Sequence, residues 1–210
     1  MIKFTQIIDI SWPISSDMTA YKDKCEARFT DVATFERDHY RKSTIAMSSH
    51  DGTHVDAPSH FLQDGITIDQ IPLETFIGPC KVVDLAHCEE KITLSDVAGC
   101  DINAGDIILF KTKNSLLSPT APFNPSFIFI DLHATQFLAD KKIKAVGVDY
   151  LGIERQQPNH ETHEILLSRN IGLIEGLRLE HVVAGSYFLC CLPLSVRGLD
   201  GAPARAVLMR

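Results

Sequence analysis

Eleven residues constrain this chain more than any others: His50-Asp51-Gly52-Thr53-His54-Val55-Asp56-Ala57-Pro58-Ser59-His60. They hold three of the nine histidines of the sequence. Imidazoles and carboxylates are the donors that zinc and manganese accept and that general acid–base chemistry uses. His50, His54, Asp56 and His60 share one parity, so an extended chain points them to one side. Yet a straight strand would hold His50 and His54 roughly 13 Å apart, and metal–ligand bonds are only about 2 Å long. A helix would bring i and i+4 together, but Gly52, Thr53 and Val55 are poor helix formers and Pro58 has no place in a helix interior. The remaining solution is a bend at Asp51-Gly52, a turn dipeptide, that folds His50 back beside His54.

Composition bounds what such a cluster can belong to. A chain of 210 residues suits one domain and buries a substantial core without disulfide or metal staples. A hydrophobic fraction of 45% with 22% charged residues is ordinary for a soluble globular protein. The net charge of −7, with no basic stripe, argues against nucleic acid and anionic membranes as partners. Met1 to Gln6 lack the basic and apolar regions of a signal peptide, and no apolar run approaches the roughly 20 residues of a membrane span, so the cytoplasm is the expected location. The six cysteines form no C-x-x-C pair, which disfavours a thiolate zinc site, and Cys190 and Cys191 read as buried thiols.

Along the chain, short apolar runs predict strands at 7–10, 43–48, 81–85, 106–111, 144–149, 172–177, 182–194 and 204–209. Helical turns are expected near 73–76 and 93–99, and helices over 131–142 and from Glu161 to about Asn170. Residues 15–41 and 114–125 read as loops and excursions that shape a pocket. Strands follow one another without a helix between each pair, so a regular βαβ repeat does not fit; there is no internal repeat or linker. Tyr21 is the lone large aromatic of a polar loop, either a surface residue or the wall of a site.

A second group of donors lies further on. His163 falls on the helix that starts near Glu161 and is either an exposed helix residue or a ligand. Glu175 is embedded among Leu173, Ile174 and Leu177; it either points to solvent from an edge strand or needs a cation or hydrogen bonds. One continuous helix would hold His163 and Glu175 about 18 Å apart, whereas a turn at 170–172 lets them converge.

His50-x-Gly52-Thr53-His54-x-Asp56-x-Pro58-x-His60 resembles the signature of the metal-dependent cyclase-like hydrolases, a family that includes bacterial kynurenine formamidase and isatin hydrolase. The likeness extends over nearly the whole chain, through Asp9-Ile10-Ser11, Val146-Gly147-Val148-Asp149, His163 with Glu175, and Gly201-Ala202-Pro203-Ala204-Arg205-Ala206. It implies an α/β fold, a swivelling β/β/α domain with a strand-rich mixed sheet over residues 1–210, and a homodimer or homotetramer. It implies that His50, His54 and Asp56 bind one metal and that Asp56 bridges to a second held by His163 and Glu175. His60 becomes the general acid–base residue, and Tyr21 lines the substrate pocket where formamidases place the tryptophan of a Trp-Pro-Gly-Asp run. Before His163, Arg155-Gln156-Gln157 stands where the family has Ser-x-Asp.

The activity so implied is hydrolysis of an amide C–N bond of a small molecule, most like the arylformamidase of tryptophan catabolism. One or two Zn2+ ions, or Mn2+, would serve it. A ring-opening hydrolase of the isatin, lactam or lactone type is the alternative. A non-catalytic protein with a structural metal is a third reading, although the first site supplies three protein ligands where closed structural sites have four.

Overall fold

The computed structural model describes residues 4–210. Met1, Ile2 and Lys3, on which the leader reading partly rests, lie outside the described residues. The strands are β1 (Ile7–Asp9), β2 (Arg28–Ala33), β3 (Lys42–Ala46), β4 (His54–Asp56), β5 (Ile77–Asp84), β6 (Lys91–Ile92), β7 (Ile107–Lys111), β8 (Phe129–Ile130), β9 (Ala145–Val148), β10 (Gly172–Glu175), β11 (Gly185–Pro193) and β12 (Gly201–Met209). The α-helices are α1 (Phe35–Asp38), α2 (Leu94–Val97), α3 (Leu132–Asp140) and α4 (Glu161–Ser168).

The main sheet is mixed and runs β1-β12-β11-β5-β7-β9-β10-β4. β4 also pairs with β12, so seven strands close into a barrel and β1 lies outside the ring on β12. β5, β7, β9 and β10 are parallel neighbours; β4, β11 and β12 join antiparallel. This is the strand-rich α/β arrangement expected, with the addition that the sheet is closed. Closure removes the edges that an open sheet would have to protect.

Strand alternation divides the apolar residues into two cores. Ile107, Leu109, Val55, Ala57 and Ile174 fill the barrel interior. Ile108, Phe110, Val146, Val148 and Leu173 face outward, where they pack with Leu138 of α3 and Leu166 of α4. The same alternation corrects one expectation: Cys191 is buried in the barrel, but Cys190 points to the other face and is only half-buried.

Local signals placed the helices. Asp131 caps α3 by accepting from Ala134 N at 2.9 Å. Thr93 and Asp96 form a capping box on α2. Asn170 adopts a left-handed conformation (φ 56°) two residues beyond α4, which lets the chain turn back into β10. The excursion of residues 27–41 resolves as a hairpin, β2 and β3 joined through α1. It leaves Phe29, Val32, Phe35, Tyr40 and Ile45 exposed. Among the described residues, no helix is long and apolar enough to cross a membrane.

Candidate metal centre

The centre sits on the outer face of the barrel seam. Val55 and Ala57 enter the barrel core, so His54 and Asp56 point the other way. On β10, Ile174 is interior and Glu175 faces outward. Antiparallel pairing sets Glu175 directly opposite His54 and Leu173 opposite Asp56. α4 packs on this face and brings His163 to the same place.

The turn inferred from metal geometry is present. Gly52 has φ 67°, and the His50 and His54 rings lie 5.0 Å apart, centroid to centroid. Thr53 clamps the turn: its Oγ1 donates to Gly176 O (2.5 Å) and accepts from Trp12 N (2.6 Å). Two glycines make the fit close. A Cβ on Gly176 would stand 2.3 Å from Gly52 O, and one on Gly201 would stand 2.8 Å from His50 Cε1.

Besides the neighbouring sets His50, His60, Asp200 and Glu154, His160, His163, two groups of donor atoms result, each with every atom within 4.8 Å of the others: His50, His54 and Asp56, and Asp56, His163 and Glu175. Asp56 belongs to both. His50 Nδ1 lies 3.0 Å from Asp56 Oδ1, His54 Nε2 lies 3.5 Å from it, and His163 Nε2 lies 3.6 Å from Oδ2. Glu175 stands 3.5 Å from both His54 Nε2 and His163 Nε2.

These residues fit a metal on three grounds. Both carboxylate oxygens of Asp56 are buried without hydrogen-bond geometry to any donor, and in this structure only the surrounding imidazoles, His50 nearest at 3.0 Å, offset that burial, a place a metal cation would take. The outward nitrogens of two of the histidines are hydrogen-bonded, His50 Nε2 to Asp200 Oδ2 (3.1 Å) and His54 Nδ1 to Gly52 O (3.0 Å), and His163 Nδ1 faces Glu154 Oε2 at 3.2 Å in an ion-pair contact. That leaves His50 Nδ1, His54 Nε2 and His163 Nε2 turned to the centre, the usual arrangement behind ligating imidazoles. The field of the site also demands positive charge. Burial opposes protonation of His50, but the carboxylates of Asp56 and Asp200 outweigh it and raise its pKa to about 9. Burial opposes His163 likewise, and Glu154, Glu175 and Asp56 raise it to about 10. Burial pushes Glu175 up, yet its histidine neighbours hold it well below the usual carboxylate range.

His60 stands apart from both groups. It stacks on His50 at 4.0 Å between ring centroids and packs edge-on against Phe61 at 4.3 Å. Burial, with help from His50 and His163, lowers its pKa. A cavity of about 740 Å³ opens over His50, His54, His60, His163 and Glu175. Its walls come from the two loops expected to shape it: Tyr21 from one, Phe123 and Pro125 from the other. Tyr21 is half-exposed and meets Phe123 edge-on at 5.0 Å; Asp23 Oδ1 accepts from Phe123 N at 2.7 Å and ties the loops together.

Glu154 and Asp200 are the residues that sequence reasoning missed. Glu154 also contacts His160 Nδ1 at 2.5 Å. Both acids sit in irregular segments beside recognisable runs, five residues after Asp149 and one before Gly201. An acid so placed near the predicted ligands was the only available signal.

A closed barrel whose seam carries two His/Asp/Glu groups around one shared carboxylate is the frame of a metal-dependent hydrolase. The chain belongs to the cyclase family: the family model described as "Putative cyclase" matches residues 8–155. It is 32% identical over 205 residues to the kynurenine formamidase of Salinibacter ruber, covering 96% of each chain. A solved structure of a "predicted metal-dependent hydrolase" from Bacillus stearothermophilus is 43% identical, covers 97% of this chain and 98% of its own, and superposes with a TM-score of 0.88. Isatin hydrolase A from Labrenzia aggregata shares the fold at 24% identity, with a TM-score of 0.82 over 97% of this chain and 93% of its own.

Proposed function

We propose that this chain, acting as one domain over residues 1–210, hydrolyses a non-peptide amide C–N bond. Its nearest activity is that of an arylformamidase, which converts N-formylkynurenine to kynurenine and formate. The observation that carries this reading is the buried Asp56, ringed by imidazoles and shared by two histidine-bearing groups, beside an aromatic-walled cavity. His50, His54 and Asp56 would hold one ion, and Asp56, His163 and Glu175 a second. The donors are nitrogen and oxygen without thiolate, a set that suits Zn2+ and also Mn2+.

When bound, a divalent ion supplies Lewis acidity, polarising a carbonyl oxygen and lowering the pKa of water toward about 7. The chain's own residues do the rest. His60 takes the proton that water loses and gives it to the departing nitrogen, so it ends the cycle as it began. Its lowered pKa suits that exchange, because the neutral ring is available near neutral pH. Tyr21, Phe123 and Phe61 wall the cavity, orient a planar substrate and exclude water.

The exposed apolar hairpin of β2 and β3 is the surface we assign to self-association as a homodimer or homotetramer. Six free thiols agree with a cytoplasmic location.

The test pairs metal analysis with turnover of N-formylkynurenine, isatin and simple lactones. We expect stoichiometric zinc or manganese, loss of activity on chelation, and preference for the formamide. His60→Ala should keep its metal and lose about 10²–10⁴-fold in kcat. Wild-type turnover by that variant would remove His60 from the chemistry, and tight metal without turnover of any substrate would make the metal structural.

A further inference from the structure

We infer that Asp200 is a positioning residue that sets the ring of His60 for proton transfer. The inference rests on the reading of His60 as proton carrier. Asp200 lies in the connection between β11 and β12, 140 residues after His60 by the sequence numbering. Its Oδ2 is 3.1 Å from His50 Nε2 and 3.5 Å from His60 Nδ1, and its Oδ1 accepts from Ser49 Oγ at 3.1 Å. The two rings are stacked with an interplanar angle of 26°, so one carboxylate reaches the edge of both.

The backbone holds that carboxylate in place. Ala57 N donates to Asp200 O (2.8 Å), Ile68 N donates to Leu199 O (3.0 Å), and Gly201 pairs with Asp56 across the seam. The connection is therefore bonded to the same segment that carries His60.

The consequence is geometric. With Nδ1 of His60 in a 3.5 Å ion-pair contact with Asp200, the opposite ring nitrogen, Nε2, is the one assigned to the cavity side. In the neutral ring the proton then resides on Nδ1, and Nε2 is free to accept the proton lost by water. After that transfer, the ring holds Nδ1–H toward Asp200 and delivers the Nε2 proton to the departing nitrogen. No net proton is gained or lost. Asp200 touches neither substrate nor reacting atoms; it acts through His60, as the aspartate behind a catalytic imidazole does in other hydrolases. The rival role is that Asp200 serves His50 alone, fixing a metal ligand.

The test uses zinc-loaded protein at saturating metal and four variants: Asp200→Ala, Asp200→Asn, His60→Ala and the double Asp200→Ala/His60→Ala. Long-range 1H–15N imidazole spectra should show the Nδ1–H form of His60 in wild type and a shift to Nε2–H in Asp200→Ala. Its kcat should fall about 10–100-fold with little change in KM, and Asp200→Asn, which keeps an acceptor oxygen, should lose less. In the His60→Ala background, removing Asp200 should change kcat by less than about twofold, because residues acting as a unit are non-additive. An equal loss in both backgrounds, or an unchanged His60 tautomer, overturns the inference. So does a defect that disappears once metal is saturating, which would leave Asp200 to His50. Failure of the underlying reading is distinct: His60→Ala would then turn over at the wild-type rate.

Discussion

Gly176→Ala is the sharpest perturbation of the seam. Gly176 follows Glu175 and has φ 71°, a conformation that costs an L-residue about 1–2 kcal/mol. Its new Cβ would stand 2.3 Å from Gly52 O, 2.8 Å from Gly52 C and 3.1 Å from Thr53 N. All three are backbone atoms, so no side chain can rotate away. Overpacking of this kind costs about 1–3 kcal/mol, giving a total loss near 3 kcal/mol when combined with the strain. Gly105→Ala is the control: φ is 80°, but nothing lies within 4 Å of its Cβ, so only the strain of about 1–2 kcal/mol applies. Urea unfolding of both variants, with and without zinc, reads the difference. At a slope of about 2 kcal/mol/M, Gly176→Ala should lower the midpoint by about 1.5 M. The displaced Gly52 also lies between His50 and His54, so zinc affinity should fall about tenfold or more, whereas Gly105→Ala should bind zinc as wild type. Equal midpoints for the two variants would refute the close approach of residues 52 and 176.

Two further outcomes follow from the site and the hairpin. In the metal-free protein, His50 at about 9 and His163 at about 10 lie above the unfolded value of about 6.5. Their stabilisation is therefore full below about pH 6.5 and lost as pH rises through about 9 to 10; metal must displace these protons, so zinc binding near pH 7.5 should give heats that depend on buffer ionisation enthalpy, and buffer-independent heats would contradict it. Phe29 and Ile45 are cross-strand partners and both exposed, so Phe29→Ser with Ile45→Ser should shift the mass in solution from oligomer to monomer, and a monomeric wild type would refute the assignment.

Periodicity made half of the centre readable. Parity placed His54 and Asp56 on one side of β4 with Val55 on the other, whereas His50 reaches the centre through the turn and His60 through the helical turn Pro58–His60. The Asp51-Gly52 turn followed from bond lengths, from residues that disfavour a helix and from the turn dipeptide itself. The strand positions were legible for the same reason, because buried β-runs are apolar on both faces. What periodicity cannot convey is register between distant strands. That Glu175 pairs with His54 depends on β4 and β10 meeting, 121 residues apart by number. Asp200 and Glu154 were invisible because each lies in irregular backbone, where no pattern fixes a side chain's direction. The closure of the sheet was hidden as well: β4 has three residues and no sequence signal that it pairs on both edges.

That short strand bears on how metal and fold depend on each other. β4 has two faces with separate supports. Its inner face is held by Val55 in the barrel core, while its backbone pairs with both β10 and β12. None of these contacts involves a donor atom of the candidate centre, so the barrel closes on apolar burial and backbone hydrogen bonds. The outer face carries His54 and Asp56, whose buried carboxylate is met only by the imidazoles around it. The cost of burying that carboxylate falls on the closed state, and a bound cation would relieve it only after closure has brought together the donors of residues 50–56, 163 and 175. Metal affinity is therefore expected to report how well the seam is formed, and a bound metal would stabilise the assembled barrel by mass action.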